Sequence, residues 1–298
     1  MDSIETTGEN QYIQRKLLVL RGVAPLSAFT SLAVSIITAI GISPSLGDIN
    51  DDFYTHLTPK QQSSMVGFYW IVLYALQAGT CFLFVGSQKD LTQMTLANAL
   101  GYQYVISHVL HSLWAIFWIL RSFTLSSIMM SLQTINLLSM YVWLCRATHL
   151  PDKTRPLDYF FIHIPIRMWT VVTVGVELQQ SAFIAFDWLS TPTWRFSLHQ
   201  VPAMISVAVP ILLGCAIILV KRDHIWMLSH MWVLLALFLR HPKPFLVNFV
   251  AVAGWILLPL SLIGNAAWSR FLERREELHR IRLEEDAEER FEREHIAA

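Results

Sequence analysis

The chain has 298 residues, of which 54% are hydrophobic and only 15% are charged. This composition is more apolar and poorer in charge than that of an ordinary soluble domain, and it predicts a membrane protein. Because 22 Lys and Arg residues are balanced by 22 Asp and Glu residues, there is no basic excess to neutralise phosphates, and no nucleic-acid partner is expected.

The polar residues 1–22 are predicted to form a cytoplasmic N-terminus. They lack the basic and early apolar stretches of a cleaved signal peptide, so insertion is expected to depend on the first membrane helix. Cys81, Cys145 and Cys215 all lie in apolar runs, where cysteine behaves as a small hydrophobic residue. Neither a disulfide framework nor a thiolate metal site is predicted.

Residues 23–268 are predicted to form an all-α, polytopic transmembrane helix bundle. A hydrocarbon core of roughly 30 Å requires about 20 apolar residues in helical form, since every backbone N–H and C=O must be paired within the segment. About eight segments approach this requirement: 24–42, 65–86, 97–120, 123–145, 159–176, 201–220, 225–239 and 245–268. Segment 159–176 contains Arg167, and segment 225–239 is short enough to be a re-entrant piece instead of a span.

The distribution of basic residues predicts that both termini are cytoplasmic. With eight spans, most Lys and Arg residues near helix ends fall on the same side as the N-terminus, as they do in membrane proteins generally. If 225–239 does not cross, this bias shrinks and the C-terminus moves to the opposite side. The sequence does not indicate the organelle.

Residues 269–298 are predicted to form a charged, cytoplasmic helical tail. Acid-to-Arg spacings of four support a solvated helix: Glu276 and Arg280, Asp286 and Arg290, and Glu289 and Arg293. The apolar residues of the tail do not sustain a heptad, so a coiled-coil partner is the weaker interpretation. A soluble partner that binds the tail is an alternative role.

Five polar residues are expected near the membrane midplane. Gln77 lies in the second segment, His108 and His111 in the third, and Gln133 and Asn136 in the fourth. Polar groups in hydrocarbon are costly and often mark functional sites. The alternative is that they join helices by hydrogen bonds, which contribute about 0.6 kcal/mol each.

Spacings of three and four place Tyr104, His108, His111, Trp114 and Trp118 on one helix face. Such a stripe can line a cavity for a flat apolar ligand, or pack against neighbouring helices. A metal or haem site is a third interpretation, but two His residues three apart without a nearby helical carboxylate are a weak metal pattern. No metal site is therefore predicted.

Arg167 and Glu177 are the charged candidates of the fifth segment. Arg167 either extends its guanidinium to the headgroups, or pairs with a buried acid or an anionic ligand group. Glu177 marks the interface if the helix is short. If the helix runs to about Phe186, Glu177 lies inside the membrane as a proton carrier or counter-ion.

Residues from about 26 to 188 resemble the tryptophan-rich sensory protein/translocator (TspO-like) family, and still more a group of fungal multi-pass membrane proteins. The resemblance is carried by Trp70-x-x-x-Tyr74, by Ala97-Asn98-Ala99-Leu100 leading to Trp114 and Trp118, and by Pro165-x-x-x-Trp169. It implies a small hydrophobic ligand of the sterol or porphyrin class.

The leading functional hypothesis is a non-enzymatic membrane protein that binds or transports a small apolar or amphipathic ligand between the second and fifth helices, in contact with membrane lipid. The alternatives are a membrane-embedded lipid- or terpenoid-modifying enzyme, and a structural scaffold. No phosphate-binding, zinc-hydrolase, serine-hydrolase or Asp-rich motif is present, so the sequence identifies neither a cofactor nor a reaction.

Overall fold

The computed structural model describes residues 2–53, 63–146, 149–150, 155–186, 200–240 and 245–297, and the regular structure in these ranges is entirely helical. The helices are α1 (Asp2–Ile36), α2 (Leu46–Phe53), α3 (Ser63–Gly86), α4 (Asp90–Met94), α5 (Gly101–Ile119), α6 (Phe123–Leu144), α7 (Pro156–Asp158), α8 (Ile164–Val172), α9 (Leu178–Ala185), α10 (Gln200–Lys221), α11 (His224–Leu239) and α12 (Phe245–Ala297). The π-helical segments Ile37–Gly41, Thr95–Leu100, Tyr159–His163 and Thr173–Glu177 extend or join them. The chain is therefore an all-α, polytopic bundle, as the sequence predicted.

Six helices in the described ranges are long and apolar enough to cross a membrane: Gln11–Gly41, Ser64–Gly86, Phe123–Leu144, Pro156–Ala185, Gln200–Lys221 and Phe245–Glu284. The two further segments proposed from the sequence correspond to α5, with 19 residues, and α11, with 16 residues. Each of the eight predicted segments overlaps a helix, and the crossing of the membrane by α5 and α11 stays a prediction.

The helix Pro156–Ala185 lies at the centre of the bundle. In its most apolar stretch 72% of the residues are buried, against 22–39% in the other five candidate spans. It combines α7, α8 and α9 with two π-helical segments, which widen a helix locally and often occur at functional sites. Pro165 lies inside this helix, directly after the π-helical segment Tyr159–His163, and because it has no N–H it cannot donate an intrahelical bond to the preceding turn.

Apolar side chains also cover the outside of the bundle. Leu18 is 74% exposed, Ile71 is 67% exposed and Val220 is 74% exposed. Contiguous apolar surface of this kind is unusual on a soluble monomer, whereas it is what a lipid-facing surface requires. Beyond the apolar part of α12 the helix continues as an exposed, charged extension through residues 273–284, in keeping with a solvated tail.

Candidate functional site

A cluster of aromatic and imidazole rings lies between α5 and the central helix. Tyr104 meets the edge of His108 at 4.6 Å between ring centroids, and His108 packs against Trp169 of α8, also at 4.6 Å. His111 approaches the same indole edge-on at 6.2 Å. All four rings are at most 3% exposed, so the predicted stripe of α5 faces the interior of the bundle.

The His111 imidazole packs against two indoles. Trp70 of α3 lies 5.0 Å away at an interplanar angle of 33°, and Trp114 stacks on the imidazole at 5.3 Å and 29°. The Trp114 indole N–H donates a hydrogen bond to Ser181 Oγ of α9 at 2.9 Å. Three helices thereby fix the position of one imidazole ring.

Glu177 is a further neighbour of the His111 imidazole. Its Oε1 atom lies 4.0 Å from His111 Nδ1, and its Oε2 atom accepts a hydrogen bond from the Thr173 hydroxyl at 3.3 Å. The central helix continues to Ala185, which places Glu177 eight residues before its end and only 4% exposed. The carboxyl group is therefore inside the bundle next to an imidazole, the arrangement expected for a long fifth helix.

Three further polar side chains of this region lack hydrogen-bond partners. No polar atom of Gln77, of His108 or of Gln133 has a partner at hydrogen-bonding geometry, although the Gln133 amide lies near enough to the His111 imidazole to interact with it, and these side chains are 2%, 0% and 0% exposed. A buried polar group without a partner costs about 1–3 kcal/mol, so each one requires an explanation. A ligand with hydrogen-bonding groups would provide the partners.

The packing of the helices places these side chains around the cluster. On α3, Gln77 lies between Cys81, whose sulfur is 3.8 Å from the Tyr104 hydroxyl, and Trp70, which packs on His111. Since α3 and α5 are antiparallel, Gln77 lies at the level of His108. On α6, Gln133 follows by one turn Met130, which belongs to the same apolar core as Trp114.

Asn136, by contrast, joins two helices. Its amide nitrogen donates to the Gln103 carbonyl and to the Ser107 hydroxyl, both at 2.7 Å. Gln103 also donates to Ser139 at 3.1 Å. The amide is thus engaged between α5 and α6, and among the midplane residues proposed from the sequence Asn136 fits the helix-joining interpretation.

Arg167 lies in a separate polar group. Its Nε–H donates to Asp223 Oδ2, which also accepts a hydrogen bond from the Tyr141 hydroxyl at 3.0 Å. Asp223 Oδ1 accepts from the Trp226 backbone N–H at 3.0 Å and so caps the start of α11. Arg167 is 8% exposed and Asp223 is 6% exposed. The guanidinium is therefore in a buried ion pair and not at the headgroups.

A second polar network lies where α4 meets the start of the central helix. Asp158 accepts hydrogen bonds from the Thr92 hydroxyl at 2.9 Å and from Arg155 Nη1 at 3.1 Å. His149 Nδ1 lies 3.3 Å from the Thr95 hydroxyl, and its carbonyl oxygen lies 3.0 Å from His163 Nε2. The network holds the segment before the central helix against α4.

Burial, and then the nearby guanidinium groups of Arg146 and Arg155, lower the pKa of His149 below its ordinary value of 6.5.

Among the described residues no group of three His, Cys, Asp or Glu side chains is arranged to hold a metal ion.

Sequence reasoning did not assign site roles to Trp70, Trp169, Ser181, Asp223 and Tyr141. In the sequence, Trp70 and Trp169 were noted only as residues of the family motifs. Their contact with the imidazoles depends on how three helices pack, which local spacing does not reveal. Asp223 lies at the start of a helix, which is the ordinary position of a capping acid, and nothing in the sequence links it to Arg167.

A family model described as TSPO-like protein matches residues 21–264 of the chain. The match includes the whole ring cluster and continues through α10 and α11 into α12, well beyond residue 188, where the motifs noted in the sequence end. The resemblance to translocator proteins is thereby confirmed, while the resemblance to a fungal group stays a prediction. No curated protein and no solved structure matches the chain.

Proposed function

The chain belongs to the TSPO-like protein family, and on this premise we propose that it binds or transports a small apolar or amphipathic ligand between α3, α5, α6 and the central helix. The bundle is a multi-pass membrane protein, so the ligand is one that partitions into lipid. The site comprises the rings around His108 and His111 together with Glu177, Gln77 and Gln133.

The single observation that carries the proposal is the convergence of unpartnered polar groups on an aromatic cluster. Gln77, His108 and Gln133 come from three different helices, and none of their polar atoms has a partner at hydrogen-bonding geometry, with the Gln133 amide near the His111 imidazole. If these side chains served only to join helices, they would bond to one another or to backbone carbonyls, as Asn136 does. Their arrangement instead suits a guest that supplies both donors and acceptors.

The surroundings favour a flat guest. Indole and imidazole faces provide broad apolar contact with defined geometry, and the three polar side chains provide orientation. Ligand sites are typically of this kind, mostly apolar with a few convergent polar groups. We therefore propose the sterol or porphyrin class as the first to be tested.

The test is retention of a chromophoric porphyrin or a fluorescent sterol by the purified full-length protein in detergent. We expect saturable binding by the wild type and a loss of affinity of about tenfold or more in the variant that combines His108→Ala with His111→Ala. Asn136→Ala is the matched control, because it removes a midplane polar group outside the cluster. Absence of binding to the wild type, or equal binding by the histidine variant, would refute the proposal.

A second candidate function is acid–base catalysis on a lipid or terpenoid. It is favoured by the 4.0 Å separation between His111 Nδ1 and Glu177 Oε1, since an imidazole and a carboxyl group at this distance can exchange a proton through one water molecule. The surrounding indoles would also stabilise positive charge on a bound substrate through their ring faces.

The two functions separate in one experiment. Glu177→Gln keeps the size and hydrogen-bonding capacity of the side chain but removes its proton transfer. Cells that carry this variant should accumulate a lipid precursor if the site is catalytic, while the purified variant still binds its ligand. An unchanged lipid profile in both the variant and a gene deletion would exclude catalysis and leave the binding function.

A further inference from the structure

A cavity lies where α5 turns into α6, at the end of the bundle that carries Arg121. Its volume is about 390 Å³, and its lining residues are Arg121, Ser122, Phe123, Thr124, Leu125, Ile184 and Ala185. Leu125 is 45% exposed, so the cavity opens to the outside of the bundle. A volume of this size lies within the range that accommodates small organic ligands.

The wall of the cavity continues into the buried ring cluster. Phe123 meets Trp118 edge-on at 5.5 Å, Trp118 packs against Trp114 at 5.7 Å, and Trp114 stacks on His111 at 5.3 Å. Ile184, which lines the cavity, belongs to the same apolar core as Trp114 and Trp118. An unbroken series of rings therefore connects the cavity with the candidate site.

The central helix forms the opposite side of this connection. Ala185, Ser181 and Glu177 are spaced by four residues, so they lie on one face of the helix on successive turns. Ala185 lines the cavity, Ser181 accepts the hydrogen bond of Trp114, and Glu177 contacts His111. At 1.5 Å per residue the eight residues from Ala185 to Glu177 span about 12 Å, which is comparable to the length of a small flat ligand.

Trp118 lies between the cavity wall and the ring cluster. Its side chain is 0% exposed, and its indole N–H has no hydrogen-bond partner. A buried indole N–H normally finds an acceptor. An indole held by packing alone, between the rim residue Phe123 and the site residue Trp114, can turn aside without losing a hydrogen bond.

We infer that the cavity at the α5–α6 turn is a second binding site, a vestibule that receives flat apolar or amphipathic molecules and delivers them to the buried cluster past Trp118. This inference rests on the proposed binding function and adds the route. The hydroxyl groups of Ser122 and Thr124 at the rim suit a polar end of the molecule, and the walls formed by Phe123 and Ile184 suit its flat body.

The first test needs no ligand. In full-length protein whose three native cysteines are replaced by alanine, a Ser181→Cys substitution places a thiol on the route beside Trp114, on the inner side of Trp118. We expect Trp118→Ala to raise the rate of its modification by a small methanethiosulfonate about tenfold or more, because the barrier to access is removed. The matched control is Trp226→Ala, which truncates an equally buried tryptophan of α11 away from the route and should leave the rate unchanged.

The second test measures ligand kinetics with protoporphyrin as the probe. Trp118→Ala should speed both association and dissociation about tenfold while changing the affinity less than about threefold, since a barrier affects both rates equally. Phe123→Ala, a milder change at the rim, should act in the same direction and serves if Trp118→Ala fails to fold.

The outcomes separate the two proposals. If wild-type protein does not bind the porphyrin, the proposed function fails in its porphyrin form, and the thiol experiment still decides the route. Equal modification rates in the Trp118→Ala and control proteins, or slower dissociation without faster association, would overturn the vestibule.

Discussion

Replacing Asp223 by asparagine should destabilise the bundle more than any other isosteric change at its polar residues. The asparagine retains a cap for α11, since Asn and Asp are comparable N-caps, but its single side-chain oxygen is then used by the Trp226 N–H, and an amide nitrogen takes the place of the acceptor of Tyr141. What it removes is the negative charge beside Arg167, whose side chain is 9% exposed. The substitution therefore removes the charge and the acceptor beside Arg167 while keeping the size of the side chain.

The expected cost is about 3–5 kcal/mol, the range observed when one partner of a buried ion pair is removed and the other stays buried. Replacing both partners, by Asp223→Asn with Arg167→Met, should cost less than the sum of the two single changes by about 2 kcal/mol or more, because no unpaired charge is left. The exposed pair Arg280 and Glu284, 3.7 Å apart and about 70% exposed, provides the control. Glu284→Gln should change stability by about 0.5 kcal/mol or less.

The assay is equilibrium unfolding of the purified full-length protein in mixed micelles, followed by helical circular dichroism and repeated for each single and double variant. A cost below about 1 kcal/mol for Asp223→Asn, or strict additivity in the double variant, would refute the reasoning. Either result would mean that the guanidinium finds solvent or headgroups when its partner is lost, as the alternative interpretation of Arg167 requires.

Three further predictions concern packing, pH and helix association. Gly79→Ala should destabilise the protein by about 1–3 kcal/mol, because its new Cβ would lie 2.0 Å from the Phe161 ring. The control is Gly67→Ala on the same helix, whose Cβ meets nothing within 4 Å and which should be neutral in the same unfolding assay. Because the pKa of His149 is lowered on folding, this residue contributes stability that is present above about pH 6.5 and lost as the pH falls below it. His149→Gln should flatten that part of the stability–pH curve. An unchanged curve would contradict the lowered pKa of His149. Asn136→Leu should lower stability by about 0.6 kcal/mol, and at most about 1.7 kcal/mol, without altering porphyrin retention; a loss of retention would place Asn136 in the site.

The all-helical, membrane-spanning class follows from the sequence because it depends only on local composition. A stretch such as 65–86 cannot be anything but a helix in hydrocarbon, and the stripe from Tyr104 to Trp118 is fixed by helical periodicity. The end of the fifth helix was harder to predict from the sequence. The apolar pattern weakens near residue 176, yet the helix continues to Ala185. Its π-helical segment Thr173–Glu177 is a consequence of packing at the bundle centre, for which no local signal exists.

The candidate site, too, could be predicted from the sequence only in part. Depth along each helix predicted Gln77, His108, Gln133 and Asn136 at one level, but depth could not distinguish the first three from Asn136, whose amide donates to the Gln103 carbonyl of a neighbouring helix. The direction of a polar side chain depends on helix rotation, and rotation is set by which faces pack together. Trp70 and Trp169 lie in the cluster because of this helix packing, which the sequence does not reveal.

The contrast between the two buried polar groups is the strongest physical argument for a ligand. Arg167, Asp223 and Tyr141 are joined by hydrogen bonds, although Arg167 Nη1 has no partner, so this bundle can pair costly charged groups when their role is structural. Gln77, His108 and Gln133 are at least as deeply buried, and none of their polar atoms has a partner at hydrogen-bonding geometry. At about 1–3 kcal/mol for each unpartnered group, their combined cost approaches the whole stability of a typical fold, about 5–15 kcal/mol. A site that is completed only when a guest supplies the missing hydrogen bonds accounts for both observations.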